Sequence, residues 1–214
     1  MRYACAAATV VALLSGGCGD RDGGPTAAAV VPLADEVVLP DLRPGDFWEY
    51  EVRSGDPPAR WSLEVGEVLG NGRYRARTVA PDSAGGGVRA QEATYAGPWN
   101  VVQPVPAQSL TYLEFPLRQG RRWTSMAVGP GDMIRTLQQE VQGAQMLTLA
   151  GARVNCVRVQ GTETTGSGSA AGVAVPVRMT IWYCPELRAV GRVESLVPLA
   201  PAVTHTLVAR RRLS

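Results

Sequence analysis

The feature that most constrains this chain is a period of two. In Trp48-Glu49-Tyr50-Glu51-Val52 the Trp, Tyr and Val share one face and the two Glu share the other. Trp61-Ser62-Leu63-Glu64-Val65 alternates in the same way. Successive side chains of a strand point to opposite faces, so this pattern describes half-buried strands. Turn residues punctuate it. Ser54-Gly55-Asp56-Pro57-Pro58 separates the two stretches, and Gly70-Asn71-Gly72 carries the Asn-Gly pair that tolerates the positive φ of a tight hairpin. Further strands are expected over 73–80, 87–95, 99–105, 110–116, 121–128, 133–142, 145–150, 153–160, 173–184, 189–197 and 203–211. Pro104, Pro106, Pro116, Pro176 and Pro198 suit edges or bulges. No amphipathic helix of three turns is visible. The expected fold is all-β: an antiparallel curved sheet, half-barrel or sandwich, with little helix, formed by residues 36–214 as one domain.

One pattern recurs. Leu42-Arg43-Pro44-Gly45-Asp46-Phe47-Trp48 and Leu117-Arg118-Gln119-Gly120-Arg121-Arg122-Trp123 share L-R-x-G-x-x-W. The Gly suits a tight turn into a strand, and the Trp suits that strand's first large inward residue. Each copy is expected to open a segment of sheet.

The N-terminus reads as an export signal. Arg2 precedes an apolar run from Ala4 to Leu14, too short to span a bilayer as a helix. Leu14-Ser15-Gly16-Gly17-Cys18 resembles a bacterial lipobox. We therefore expect a lipoprotein signal peptide over 1–17, lipidation of Cys18, and a Gly-, Asp-, Pro- and Ala-rich flexible tether over 18–35. Two or more acyl chains suffice for stable anchoring. Gly19 and Asp20 do not resemble an inner-membrane retention signal. The expected location is the outer membrane, facing the periplasm, with the inner membrane as the alternative.

Cys5 leaves with the signal peptide, so Cys156 and Cys184 remain. A hairpin centred near residue 170 sets Cys156 opposite Cys184, Val157 opposite Tyr183, Arg158 opposite Trp182 and Val159 opposite Ile181. That register gathers Val157, Val159, Met179, Ile181 and Tyr183 on one apolar face. It leaves both Cys on the other, beside an Arg–Trp contact. Disulfides persist in exported proteins, so the pairing predicts a Cys156–Cys184 bridge.

The composition excludes several chemistries. All 21 basic residues are Arg, and there is one His. Without Lys there is no P-loop, Schiff-base enzyme or Ser-Lys dyad. One His cannot build a His-rich metal site. A formal charge of +2 is too small for a nucleic-acid footprint. The Gly-rich stretch around Gly166 and Gly168 lies between strands and has no helix to meet a pyrophosphate. His205 sits in a strand pattern near the C-terminus. Glu49, Glu51 and Glu64 are expected to form a solvated face opposite Arg73, Arg75 and Arg77. Arg210-Arg211-Arg212 would cap the last strand. The five Trp are expected to anchor the core, with Trp48, Trp61 and Trp123 as candidate liners of a ligand cleft. No cofactor, metal or catalytic residue is expected.

Four segments occur in a telling order: Leu42–Trp48; Phe115-Pro116-Leu117 to Trp123; Ala150-Gly151-Ala152-Arg153-Val154-Asn155-Cys156-Val157; and Trp182-Tyr183-Cys184-Pro185 to Gly191-Arg192-Val193. This order resembles a broad group of uncharacterised bacterial envelope lipoproteins with a domain of unknown function. That group is distantly similar to LolA-like half-barrels that hold lipid. The resemblance implies a curved antiparallel sheet and no catalytic residues. Three functions follow as expectations. The first is a non-enzymatic, lipid-anchored envelope protein that binds or assembles with another envelope protein or a lipid. The second is a carrier of an apolar ligand. The third is an envelope hydrolase using His205 or a carboxylate.

Overall fold

A computed structural model describes residues 28–54, 57–81, 87–103, 109–129, 133–167, 175–198 and 200–211. The signal peptide and Cys18 lie outside the described residues. The strands are β1 (Phe47–Arg53), β2 (Ala59–Gly70), β3 (Arg73–Pro81), β4 (Val88–Ala96), β5 (Val101–Val102), β6 (Arg122–Val128), β7 (Met133–Leu149), β8 (Ala152–Ser167), β9 (Val175–Cys184), β10 (Ala189–Leu196) and β11 (Val203–Arg211). All pair antiparallel in a single sheet, ordered β5-β4-β3-β2-β1-β11-β10-β9-β8-β7-β6. The sheet curls enough for β11 and β7, four strands apart, to touch. It does not close into a barrel, and it is not a two-sheet sandwich.

The repeated pattern is a repeated structure. Gly45 and Gly120 both take left-handed φ, 85° and 73°. In the first copy Asp46 N donates to Arg43 O, Gly45 N donates to Val65 O, and Val65 N donates to Asp46 O. In the second copy Arg121 N donates to Arg118 O, Gly120 N to Val141 O, and Val141 N to Arg121 O. The correspondence continues outward. A bulge follows Val65 in β2 and another follows Val141 in β7. Tyr74 then pairs with Tyr95, as Val157 pairs with Tyr183. The sheet is thus two meanders, β1–β5 and β6–β10, joined side by side through β11.

Alternation decides which face is buried. Trp48, Tyr50, Leu63, Val65, Tyr74, Ala76, Tyr95 and Leu207 form one cluster on the inner face. Trp123, Val141, Val157, Val159, Ile181, Tyr183 and Val193 form a second cluster on the same face. The hairpin turns use positive φ as their residues allow: Asn71 (51°) with Gly72 (71°), and Ala150 (47°) with Gly151 (79°).

Several expectations are corrected. Residues 110–116 are not a strand. They cross the inner face as an irregular segment that buries Leu110 and Leu113 and leads into the buried Leu117. Among the described residues the strand expected over 99–105 is only β5, which starts after Trp99, a residue held at φ 68°. The stretches 133–142 and 145–150 are one strand, β7, whose bulge between Val141 and Gly143 keeps pairing with β8 intact. The last residues of the expected 18–35 tether, from Ala28 on, meet the sheet. Val31 bridges Ala144, Val37 bridges Leu117, and Gln145 Nε2 donates to Ala28 O at 2.6 Å. Residues from 28 onward are therefore part of the fold. Of the expected ion pairs, Glu64 does face Arg77 across β2–β3. Glu49 and Glu51, however, pair with Arg60 and Arg53 within the β1–β2 hairpin.

Candidate functional site

The β8–β9 register is Val157–Tyr183, Arg158–Trp182 and Val159–Ile181. Beyond its end a disulfide joins Cys156 to Cys184, with Cα atoms 4.1 Å apart. The bridge lies on the outer face, in a small cluster with Leu147, Leu149, Val154 and Trp182. Gly191 makes room for it. A Cβ at Gly191 would stand 2.4 Å from Cys184 Sγ and 2.5 Å from Leu149 Cδ1. The Arg that meets Trp182 is Arg192, at 5.6 Å from the ring centroid, rather than Arg158. Arg158 on β8 and Arg192 on β10 both stand opposite Trp182, and it is the Arg192 guanidinium that lies over the ring.

The three candidate Trp do not converge. Trp48 is buried in the first cluster and its Nε1 donates to Leu187 O at 3.3 Å. Trp123 belongs to the second cluster and its Nε1 donates to Thr111 O at 3.0 Å. These matching indole bonds pin the two copies of the repeated turn to different covering segments. Only Trp61 of the three is half-exposed. It stacks on Tyr50 with ring centroids 4.5 Å apart, and its Nε1 donates to His205 Nδ1 at 3.2 Å.

Trp99 makes Trp61, Tyr50 and His205 into one aromatic group. Its ring meets Tyr50 and Trp61 edge-on at 5.7 Å each, and His205 at 5.6 Å. It packs against both inner-face clusters. Its indole Nε1 is buried without an acceptor among the described residues. The next residue, Asn100, is buried and holds the crossing segment in place. Its Nδ2 donates to Leu113 O, and its Oδ1 accepts from Tyr112 N and Leu113 N. Trp99 was legible only as one Trp among five, since the preceding Gly97-Pro98 signals a turn and not a contact.

The electrostatics follow burial. Desolvation pushes the hydroxyls of Tyr50, Tyr74 and Tyr183 well up, and it raises those of Tyr95 and Tyr112. Desolvation lowers the pKa of His205 from 6.5. A separate polar group sits at the far end of the inner face, where Arg135 donates to Glu163 at 2.7 Å and to the Tyr112 hydroxyl at 3.1 Å. The cavity at the centre of the first cluster, between Trp48, Tyr50, Leu63, Tyr74 and Trp99, measures about 10 Å³. That is near the smallest volume that admits one water. Among the described residues no group of three His, Cys, Asp or Glu is placed to hold a metal.

No family model and no curated protein matches the chain. Among the solved structures similar to the chain are two of matching fold. One is a protein of Bacteroides fragilis inferred to be exported, with a YmcC-like fold. It has 11% identity and a TM-score of 0.50, covering 82% of this chain and 100% of that one. The other is an inferred lipoprotein of Parabacteroides distasonis, at 12% identity and a TM-score of 0.54, covering 83% and 100%. At these identities the likeness is one of fold: the chain folds as an open, YmcC-like antiparallel sheet.

Proposed function

We propose that the chain is a bacterial envelope lipoprotein, anchored through Cys18, whose domain has a non-catalytic binding or assembly role. The observation that carries this reading is the agreement of two independent features. The N-terminus has the form of a lipoprotein signal, and the fold is shared with an inferred lipoprotein and an inferred exported protein. The Cys156–Cys184 bridge suits an oxidising compartment. The sorting residues Gly19 and Asp20 favour the outer membrane, facing the periplasm.

The non-catalytic part rests on how the reactive groups are spent. His205 Nδ1 is occupied by an indole N–H, not by a carboxylate that would orient it as a base. Glu49 and Glu51 are engaged by Arg60 and Arg53. The first cluster itself leaves only about 10 Å³ and so offers no room there for an acyl chain. Mass spectrometry of the N-terminal peptide from protein expressed with its own signal tests the anchor. A diacylglyceryl-modified Cys18 at the mature terminus is expected, with fractionation into membranes that Cys18→Ala abolishes. An unmodified thiol at Cys18, or cleavage elsewhere, rejects the reading.

A further inference from the structure

The chain enters the fold at one end of the sheet. Ala28 meets Gln145 and Val31 bridges Ala144, beside the β7–β8 turn. Antiparallel pairing places the Gly45 and Gly120 turns, the Asn71-Gly72 turn, the Pro185–Leu187 turn and the end of β11 at that same end. Cys18 and Ala28 are ten residue steps apart, and fully extended that length reaches about 35 Å at most. The opposite end of β7, at Met133, lies about 40 Å further along the strand from Gln145. An anchor at Cys18 therefore prevents the domain from standing on its Met133 end and leaves the entry end within reach of the bilayer.

That end has a built surface. Arg188, Arg210 and Arg211 line a cleft of about 90 Å³ with Asp46, Trp48, Glu186 and Leu187. Arg188 donates to Asp41 O, Arg210 Nη1 donates to Glu186 O at 2.9 Å, and Arg211 lies over the Phe47 ring at 5.1 Å. None of the three has a carboxylate within ion-pair distance among the described residues, whereas Arg43, Arg118 and Arg121 at the same end do. Asp46 is buried, and its Oδ2 accepts from Arg43 N. The segment that supplies Asp41 O leads straight to an apolar patch. Val38 is 64% exposed, Leu39 lies against Gly72 in the β2–β3 turn, and Val68 and Leu69, just before that turn, are 43% and 42% exposed.

We propose that this end docks on the bilayer that holds the anchor. The arginine cleft takes a lipid phosphate, and Val38, Leu39, Val68 and Leu69 enter the headgroup boundary. Guanidinium forks match phosphate oxygens, and exposed apolar residues beside basic ones suit an interface. The inference rests on the lipid-anchored reading, but its test does not use the lipid. Mature chain carrying Cys18→Ser is sedimented with phosphatidylcholine vesicles, with and without phosphatidylglycerol. Binding to the anionic vesicles is expected. Each arginine near such a surface contributes about five-fold in partition, so Arg188→Gln with Arg210→Gln should lower binding about 25-fold. Val68→Ser with Leu69→Ser should also weaken it. Val88→Ser, at the opposite end, should leave it unchanged. Melting curves show that each variant is folded. The proposal is overturned by absence of binding to anionic vesicles, or by binding that the arginine and apolar substitutions leave intact. It is equally overturned if inorganic phosphate occupies the cleft while vesicles are ignored, which would mark a site for a soluble anion. None of these results bears on whether Cys18 carries lipid, which the peptide mass reads separately.

Discussion

At the residue scale, His205 shows how a lone titratable group is used. It lies in β11 between Val52 of β1 and Val193 of β10, and Trp61 and Trp99 flank its ring. The neutral ring accepts the Trp61 N–H at Nδ1. Protonation there would set two donors against each other in a partly desolvated place. Burial of the ring holds the folded pKa below the unfolded value near 6.5. Below that pH the unfolded chain binds more protons than the folded one, so stability falls as pH drops and levels off below the folded pKa. Urea titrations at pH 7.5 and pH 5 should show a loss for the native chain that His205→Gln reduces. An equal loss in both chains would assign it to other groups. The sequence placed His205 in a strand, but its partners are remote: Trp61 is 144 residues away.

At the element scale, β7 is the instructive strand. Its alternation breaks at Gln142-Gly143, which reads locally as a gap between two strands. The break is a bulge, and it serves the N-terminal segment. Gly143 has φ 144°, and a Cβ there would stand 2.4 Å from Val31 O. Gly143→Ala should therefore expel residues 28–33 from the edge of β7, at a cost of about 2 kcal/mol from strain and overpacking. Amide exchange should quicken at Val31 and Ala144, which bond to each other, while the β8–β9 pairing stays protected. Unchanged exchange at Val31 would contradict this account. The same scale explains the corrected segment 110–116. Its alternating apolar residues look like a strand, but its partners are the side chains of Asn100, Trp123 and Ser125. Local pattern cannot distinguish a ladder partner from a side-chain partner.

At the scale of the whole molecule, two meanders of similar build must be made into one body. β11 joins them through the backbone, and Trp99 joins their inner clusters through side-chain contacts. Trp99→Ala should cost about 3–5 kcal/mol, as for other large-to-small changes in packed cores. It should also reduce cooperativity, since the lost contacts are those shared by the two clusters. Denaturation followed by far-ultraviolet circular dichroism and by fluorescence should then give non-coincident transitions. A coincident transition with a loss below about 1 kcal/mol would show that β11 alone couples the halves.

The sequence by itself determined most of the strands, though not β5, β7 or the segment 110–116, together with the hairpin turns and the β8–β9 register. Side-chain period and turn chemistry are local, and a one-residue slip would turn every apolar residue of a strand outward. It also marked the repeated L-R-x-G-x-x-W turn, because Gly45 and Gly120 meet the same backbone demand. Only the tertiary structure decided that the two turns open equivalent meanders and that the chain is built into the sheet from residue 28. It also decided that Trp99, not Trp48 or Trp123, ties the cores together. Those outcomes depend on contacts between residues far apart in the chain, where the alternation of one strand says which face is buried but not what covers it.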